Sequence, residues 1–591
     1  MADVWKDHYD FIVIGGGTAG NVVAGRLAEN PSLKILIIEA GVGNPRELPE
    51  ITTPAHTFQS HGDKHDWCYR TTFVDTQSYR RVETPNTRGK ILGGSSSLNC
   101  FTWVPGSKET FDSWAEYGGD DWTWENCKEY FTKATRYHDD DQKHDPEFSR
   151  LGRDGPLNIS HADLLPETAA FREALIKAWE SKRLQLTSDV YSGKMEGLTH
   201  CVTTIHNGVR SESSVFITNK PNVDVMASTI AREIKFDGNS AVSVTVTDKD
   251  GLESTFKAKK EIILSGGVFE TPKLLLLSGI GPRTELAHHA IDPVVVSENV
   301  GKNLMDHPIL PHVFRLKDGM GLDSILHQYG PLQNDAKRQY DEHNTGPLAS
   351  GILELIAFCR IDDRLDVYEE YRDAKEMNGG TDPYGPEGQP HFEIDFMPIF
   401  APPFQRDFSV PEEEDWMTVI VNLVRPQSRN GFVRLTSLDP HEQPEINLNF
   451  FSNKLDILAL REGVRFVDDV LMTGDGMKDI IHEDYPWPIQ RTSDKEMDSM
   501  ILDRAQTGFN PCGTARLSMN VEQGVVDPEL RVHGVRNLRV VDASIIPVIP
   551  DCRIQNAVYM IAEKGADFIK SSYPSLFGQY KDIPNPLPVD S

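Results

Sequence analysis

The sequence lacks most features that would fix a chain covalently or bind it to a membrane. Seven cysteines are scattered over 591 residues with no CxxC pair. Neither a disulfide framework nor a zinc site is indicated, and no metal is expected. The longest apolar runs, such as Leu274–Leu277, are far too short to span a bilayer. The opening MADVWKDHYDFIVIGGG has no basic segment or cleavage site before its first apolar run, and the closing LPVDS is not a Ser-Lys-Leu address. The expectation is a cytoplasmic protein with no transmembrane segment. Positive charge is also scarce: 60 Lys and Arg face 89 Asp and Glu, for a net charge of −29. Such a surface repels nucleic acid and anionic membrane, so neither is an expected partner. An anionic substrate would need a local cation to hold it. Internal repeats and low-complexity segments are absent as well.

The length suffices for two substantial cores. Phe11–Ile14 is a short apolar run, Gly15–Gly20 a glycine-rich turn, Asn21–Ala28 has helical spacing, and Leu33–Glu39 is a second apolar run. This order predicts a βαβ unit. Within it, Gly15-x-Gly17-x-x-Gly20 has the dinucleotide spacing. Gly15 allows a tight turn, Gly17 lets a pyrophosphate approach the backbone, and Gly20 lets helix and strand pack closely. The helix N-terminus then faces the phosphates. Glu39 falls at the end of the second strand, where its carboxylate accepts ribose hydroxyls and repels a 2′-phosphate. FAD or NAD is therefore favoured over NADP.

Further along, Val223–Phe236 and Ala241–Ala258 alternate as hairpins do, and Glu261–Ser265 reads as a strand ending at Gly266–Gly267. From about 320 to 500 the chain carries long loops, many prolines and acidic patches (EGQPHFEIDF, PEEEDW). Trp416–Leu423 and Gly431–Leu435 read there as antiparallel strands. The glycine-punctuated style returns from Gly508 to Asp567. The predicted class is α/β: a Rossmann-like nucleotide-binding domain with a second α+β substrate domain on an antiparallel sheet. The expected boundaries are 1–160, 200–320 and 505–575 for the first, 161–199 and 321–504 for the second, and a tail over 576–591.

Arg88–Asn99 (RGKILGGSSSLN) resembles the first signature of the glucose–methanol–choline (GMC) oxidoreductases, and Gly267–Gly281 (GVFETPKLLLLSGIG) the second. Val300–Pro308 resembles the family's VGxNLxDHP stretch. Pro511–Thr514, Val541–Pro547 and Tyr559–Asp567 resemble its C-terminal block. The resemblance covers nearly the whole chain in order. It implies FAD, with hydride passing from substrate carbon to flavin N5. It implies that Gly15, Gly17, Thr18, Ala19, Gly20 and Glu39 hold the ADP half. Ser95, Asn99 and Thr102 then line the isoalloxazine and its linker. Asp542 lies near the ribityl-pyrophosphate, Asn556 near the pyrimidine end, and Ala231 offers a backbone contact to adenine. Arg88 and Gly94 join the same cofactor set. Independently of the family, Gly93–Gly94 keep bulk away from a flat ring.

The catalytic positions of the family fall on Asn510, where histidine is usual, and Arg553, where histidine or asparagine is usual. Oxidising an alcohol removes a hydride from carbon and a proton from oxygen, and histidine suits the proton step. Asparagine has no titratable proton, and arginine stays protonated. Formate is already deprotonated, so only its hydride must leave. An arginine fork matches its carboxylate, and Asn510 could still donate to that carboxylate or to an anionic flavin. The setting IPDCRIQNxVYM around Arg553 resembles fungal formate oxidases, a subgroup that pairs this arginine with histidine and can carry 8-formyl-FAD. Asn510 departs from it, through natural variation or an engineered change. The alternative for Arg553 is an ion pair with a neighbouring carboxylate, for example Asp551. His307 and Cys512 read as packing residues.

Three readings follow. The first is a formate oxidase giving CO2 and H2O2, with formate and O2 as its partners, and with reduced activity where Asn510 replaces the usual histidine. The second is a GMC alcohol oxidase or dehydrogenase on a small or aromatic alcohol, with a base from the 320–500 region. The third is a GMC-fold lyase or cyclase with structural FAD. A homo-oligomer is left open.

Overall fold

The computed structural model describes residues 8–76, 79–139, 150–187, 189–405 and 407–578. The expected tail lies outside them from residue 579 onward.

One sheet carries the nucleotide-binding frame. Its strands run in the order Val223–Met226, Ile35–Ile38, His8–Ile14, Glu253–Leu264, Ser240–Asp248, Thr229–Asp237, with Leu538–Val540 also on Glu253–Leu264. The first four pair in parallel, as does Leu538–Val540. Phe11–Ile14 and Ile35–Ile38 are buried throughout, which is why they read as continuous apolar runs. The predicted separate strand Glu261–Ser265 is the end of one twelve-residue strand. Its N-terminal half alternates as one arm of a hairpin with Ser240–Asp248. Its last four residues, Glu261–Leu264, are all buried between the first strand and Leu538–Val540.

Helices Thr18–Leu27 and Gln555–Ser572 pack together on this sheet. A buried pair joins them, Arg26 Nη2 to Glu563 Oε1 at 2.7 Å.

The second large sheet is antiparallel. Its order is Ile481–Tyr485, Pro308–Leu316, Asp415–Leu423, Phe392–Met397, Leu355–Cys359, Gly197–His200, with Gln506–Thr507 also on Pro308–Leu316. Pro308–Leu316, which precedes the expected boundary at 320, pairs within this sheet. The acidic patch EGQPHFEIDF is not a surface loop throughout. Phe392–Met397 is an interior strand buried at every residue, and Glu393 and Asp395 lie inside it. A smaller four-stranded sheet joins Tyr69–Asp75 and Arg80–Asn86 to Phe432–Arg434 and Glu445–Phe450. Among the described residues no helix is long and apolar enough to cross a membrane.

Candidate active site

A cavity extends from the ends of strands His8–Ile14, Ile35–Ile38 and Glu253–Leu264 to Phe404, Asn510 and Arg553. Its lining includes Gly15, Glu39 and Ala231, then Gly17, Ser95 and Asp542, and also Asn510 and Arg553. Segments far apart in sequence meet there because the first, middle and last parts of the chain share one parallel sheet.

The nucleotide end is built from absent side chains. Gly15 has φ +99°, and a Cβ there would lie 2.3 Å from the Ser265 carbonyl oxygen. A Cβ on Gly20 would lie 1.9 Å from the Gly15 carbonyl oxygen. Gly17 differs: its Cβ would meet nothing nearer than Gly94 Cα at 3.8 Å. The turn is thus packed at Gly15 and Gly20 and open at Gly17, as a cradle for a pyrophosphate requires. Gly94, with φ +55°, sits on Gly17, and its own Cβ would come within 2.7 Å of Gly17 Cα. Thr18 and Ala19 line the opening.

Glu39 is buried, with its oxygens accepting from Gly16 N at 2.8 Å and Gly41 N at 2.7 Å. Burial pushes its carboxyl up to about 7 against those hydrogen bonds. Asp542 is held by the start of helix Gly267–Leu277: Oδ2 accepts from Gly267 N at 2.9 Å and Thr271 Oγ1 at 2.6 Å. Ser95 Oγ accepts from Gly89 N at 3.3 Å. Asn99 Oδ1 accepts from Phe101 N and Arg210 Nη1, and its amide donates to Gln555 Oε1. Thr102 also lines the cavity. Arg88 crosses to the opposite wall, donating to the Phe509 carbonyl at 2.7 Å. Two predicted residues stand apart. Gly20 is inside the packing beneath the turn, and Asn556 is buried without lining the cavity. Its neighbour Gln555 lines it instead.

At the far end Asp306 fixes the turn that carries Asn510. Its Oδ1 accepts from Asn510 N at 2.9 Å and His307 N at 2.8 Å, and its Oδ2 accepts from Thr507 Oγ1. The Asn510 side chain is fully engaged with protein. Nδ2 donates to the Gly508 carbonyl at 2.9 Å and approaches His307 Nδ1 at 3.3 Å, and Oδ1 accepts from Ile554 N at 3.3 Å. His307 donates through Nε2 to the Pro550 carbonyl at 3.0 Å, so Nδ1 is the acceptor toward Asn510. The expected donation from Asn510 to a ligand is therefore corrected: both of its N–H groups are committed. Burial lowers the His307 ring to about 3, which keeps it neutral. Cys512 is buried, and burial pushes its thiol well above the usual range.

Arg553 lines the same end, but its partner is not Asp551. Asp551 accepts from Ser107 N at 2.8 Å. Arg553 donates from Nε to Glu393 Oε1 at 2.9 Å and from Nη2 to Asp395 Oδ2. Both carboxylates are inside the antiparallel sheet, with side chains 0% and 1% exposed, against 21% for Arg553. Burial raises both acids, partly offset by Arg553. Burial alone would lower the guanidinium, and the two carboxylates more than reverse it.

Residue-pattern reasoning missed Glu393, Asp395 and Asp306, and the aromatic wall of His61, Phe404 and Phe509. The rings of Phe404 and Phe509 are 6.3 Å apart and those of His61 and Phe509 6.1 Å. The available signal was an E-x-D step within an apolar run.

Residues 9–309 match the N-terminal model of the GMC oxidoreductases, and residues 426–562 match the C-terminal one. The chain is a GMC oxidoreductase. It is 33% identical to pyranose dehydrogenase 3 of Leucoagaricus meleagris, over 96% of this chain and 93% of that protein. It is 32% identical to the mitochondrial choline dehydrogenase of Homo sapiens, over 98% and 92%. The crystal structure of a formate oxidase superposes with a TM-score of 0.95 at 53% identity, covering 96% of this oxidoreductase and 99% of that chain. A structure of the Aspergillus oryzae RIB40 formate oxidase, solved with an arginine-to-alanine mutation to follow FAD modification, matches equally. The cofactor of this oxidoreductase is FAD, and the open cradle at Gly17 and the cavity beyond it fit a dinucleotide.

Proposed function

We propose that this oxidoreductase oxidises formate and returns the electrons to O2, giving CO2 and H2O2. Bound FAD supplies the hydride acceptor and the route to oxygen. The remaining steps fall to the chain. Arg553 holds the carboxylate, and Asn510, backed by buried His307, lines a wall with no titrating group of its own. The observation that carries this reading is the lining of the far end. A guanidinium reaches the cavity there, while the amide beside it is locked and the nearby histidine, with both nitrogens engaged, is made a weak base by burial. That surface suits a substrate that has no proton to lose. We extend the reading to FAD oxidised at its 8-methyl group. An arginine mutation studied for its effect on FAD modification in a formate oxidase supports that extension.

A second reading, oxidation of a small or aromatic alcohol, is supported by the pyranose and choline dehydrogenase relatives. It needs a base, and Glu393 and Asp395 come from the expected 320–500 region. They lie behind Arg553, however, and line no part of the cavity. Anaerobic flavin spectra before and after adding formate, then a panel of alcohols, separate the two. Bleaching by formate is expected. Bleaching by an alcohol and none by formate would sink the first reading.

A further inference from the structure

Behind the far end of the cavity, two buried carboxylates meet a guanidinium that lines it. Glu393 and Asp395 are two residues apart on strand Phe392–Met397, so both project from the same face. Arg553 spans them. Their remaining oxygens are poorly served. Glu393 Oε2 receives a long contact from Asn422 Nδ2, at 3.5 Å, and the Arg553 backbone N–H also favours the Glu393 carboxylate. Asp395 Oδ1 is buried and has no partner, and neither has Asn422 Oδ1. A fully ionised triad would bury one uncompensated negative charge, which low-dielectric surroundings oppose strongly.

The neighbours do not supply the missing positive charge. Cys100, Cys201 and Cys552 face the triad from three different segments, and burial pushes all three thiols up, so they stay neutral. His307 is neutral as well. Farther out, Glu354 is paired with Arg172, and Arg210 donates to backbone carbonyls. Arg553 is the counter-charge that the two acids touch.

We propose that Glu393 and Asp395 hold one proton between them, and that this proton decides whether Arg553 can capture an anion. The inference rests on Arg553 being the anion-holding group. With the proton present the triad is neutral, and Arg553 offers its remaining N–H groups to an anion without net repulsion. With the proton lost the triad carries one net negative charge and repels the anion. Above the carboxyl range, binding one anion therefore takes up one proton. Glu393 and Asp395 are positioning residues in this scheme: they act through Arg553. Burial raises both acids above the ordinary carboxylate range, and the pair titrates as a unit. Anion affinity is full below that titration and falls as pH rises through it.

The test uses the FAD-loaded enzyme and nitrate, a planar oxyanion that stays ionised and carries no hydride. Flavin absorbance gives its Kd between about pH 6 and pH 9. As pH rises through the titration of the pair the Kd is expected to rise, approaching tenfold per pH unit as one proton is taken up. Asp395→Asn and Glu393→Gln each leave one carboxylate to match Arg553, so each is expected to flatten the profile. An infrared difference spectrum of the same enzyme should show a buried carboxylic acid at low pH that is lost at high pH. Both variants should lack it. A pH-independent Kd in the unmodified enzyme, or an unchanged slope in both variants, overturns the proposal and leaves the formate reading standing. A missing acid band overturns it too. Failure of nitrate to bind at any pH, with the acid band present, overturns Arg553 as an anion site and both readings together.

Discussion

At the nucleotide end of the cavity, Gly15, Gly17, Gly20 and Gly94 act by having no side chain. At the far end, Arg553, Glu393 and Asp395 act through charge. The first end is nearly local in sequence, a turn between two strands with a second glycine pair laid on it. The second is assembled across a separation of 160 residues between Arg553 and Glu393. The contrast shows how the two kinds of site tolerate change. A steric cradle tests each backbone position separately, whereas a buried charge cluster responds as a unit.

The largest expected effect breaks the charged end. Arg553→Ala removes the anion fork, and the rate of anaerobic flavin reduction by formate should fall about 10²–10³-fold. It also leaves two buried acids without a counter-ion. Thermal unfolding near neutral pH should show a loss of up to about 3–5 kcal/mol, shrinking in acid as both become protonated. Reduction within about tenfold of the unmodified rate would remove Arg553 from substrate binding.

Smaller effects sharpen the steric end. Gly20→Ala places a methyl where 1.9 Å separates it from the Gly15 carbonyl oxygen. It should destabilise the apoprotein by about 1–3 kcal/mol. Gly17→Ala meets open space at an ordinary φ of −85°. Apoprotein stability should stay within about 0.5 kcal/mol, while FAD bound per chain falls. Equal loss of apoprotein stability in both variants would mean that Gly17 is a packing residue.

The same contrast explains what the sequence revealed. Phe11–Ile14 and Ile35–Ile38 are parallel strands covered on both faces, so their burial is written as unbroken apolar runs. Glu393 and Asp395 invert that rule. Two acids in EGQPHFEIDF read as a solvated patch, because nothing local shows that Arg553 will pair with them. The Arg553 position was legible from its motif, yet Asp551, the adjacent acid, was the wrong partner. Asn556 missed the cavity by one helical step, since neighbours on a helix point about 100° apart. Asn510 lines the cavity, but the direction of its side chain depends on His307, Gly508 and Ile554, which only the folded turn brings together.

Asn510→His is expected to have the smallest effect on formate and a far larger one on alcohols. Formate loses only a hydride, so a new imidazole supplies nothing that this step lacks, and its flavin-reduction rate should change by less than about tenfold. An alcohol must also lose a proton, and a histidine near neutral pKa should raise its rate by about 10²–10⁴-fold. The gain should appear as pH rises through the imidazole range, because only the neutral ring accepts a proton. Stopped-flow reduction with formate and with a small alcohol, in both proteins, measures the two ratios. If formate gains as much as the alcohol, the histidine is acting on orientation or on the flavin rather than on a substrate proton. The argument that formate needs no base would then no longer separate the two substrates.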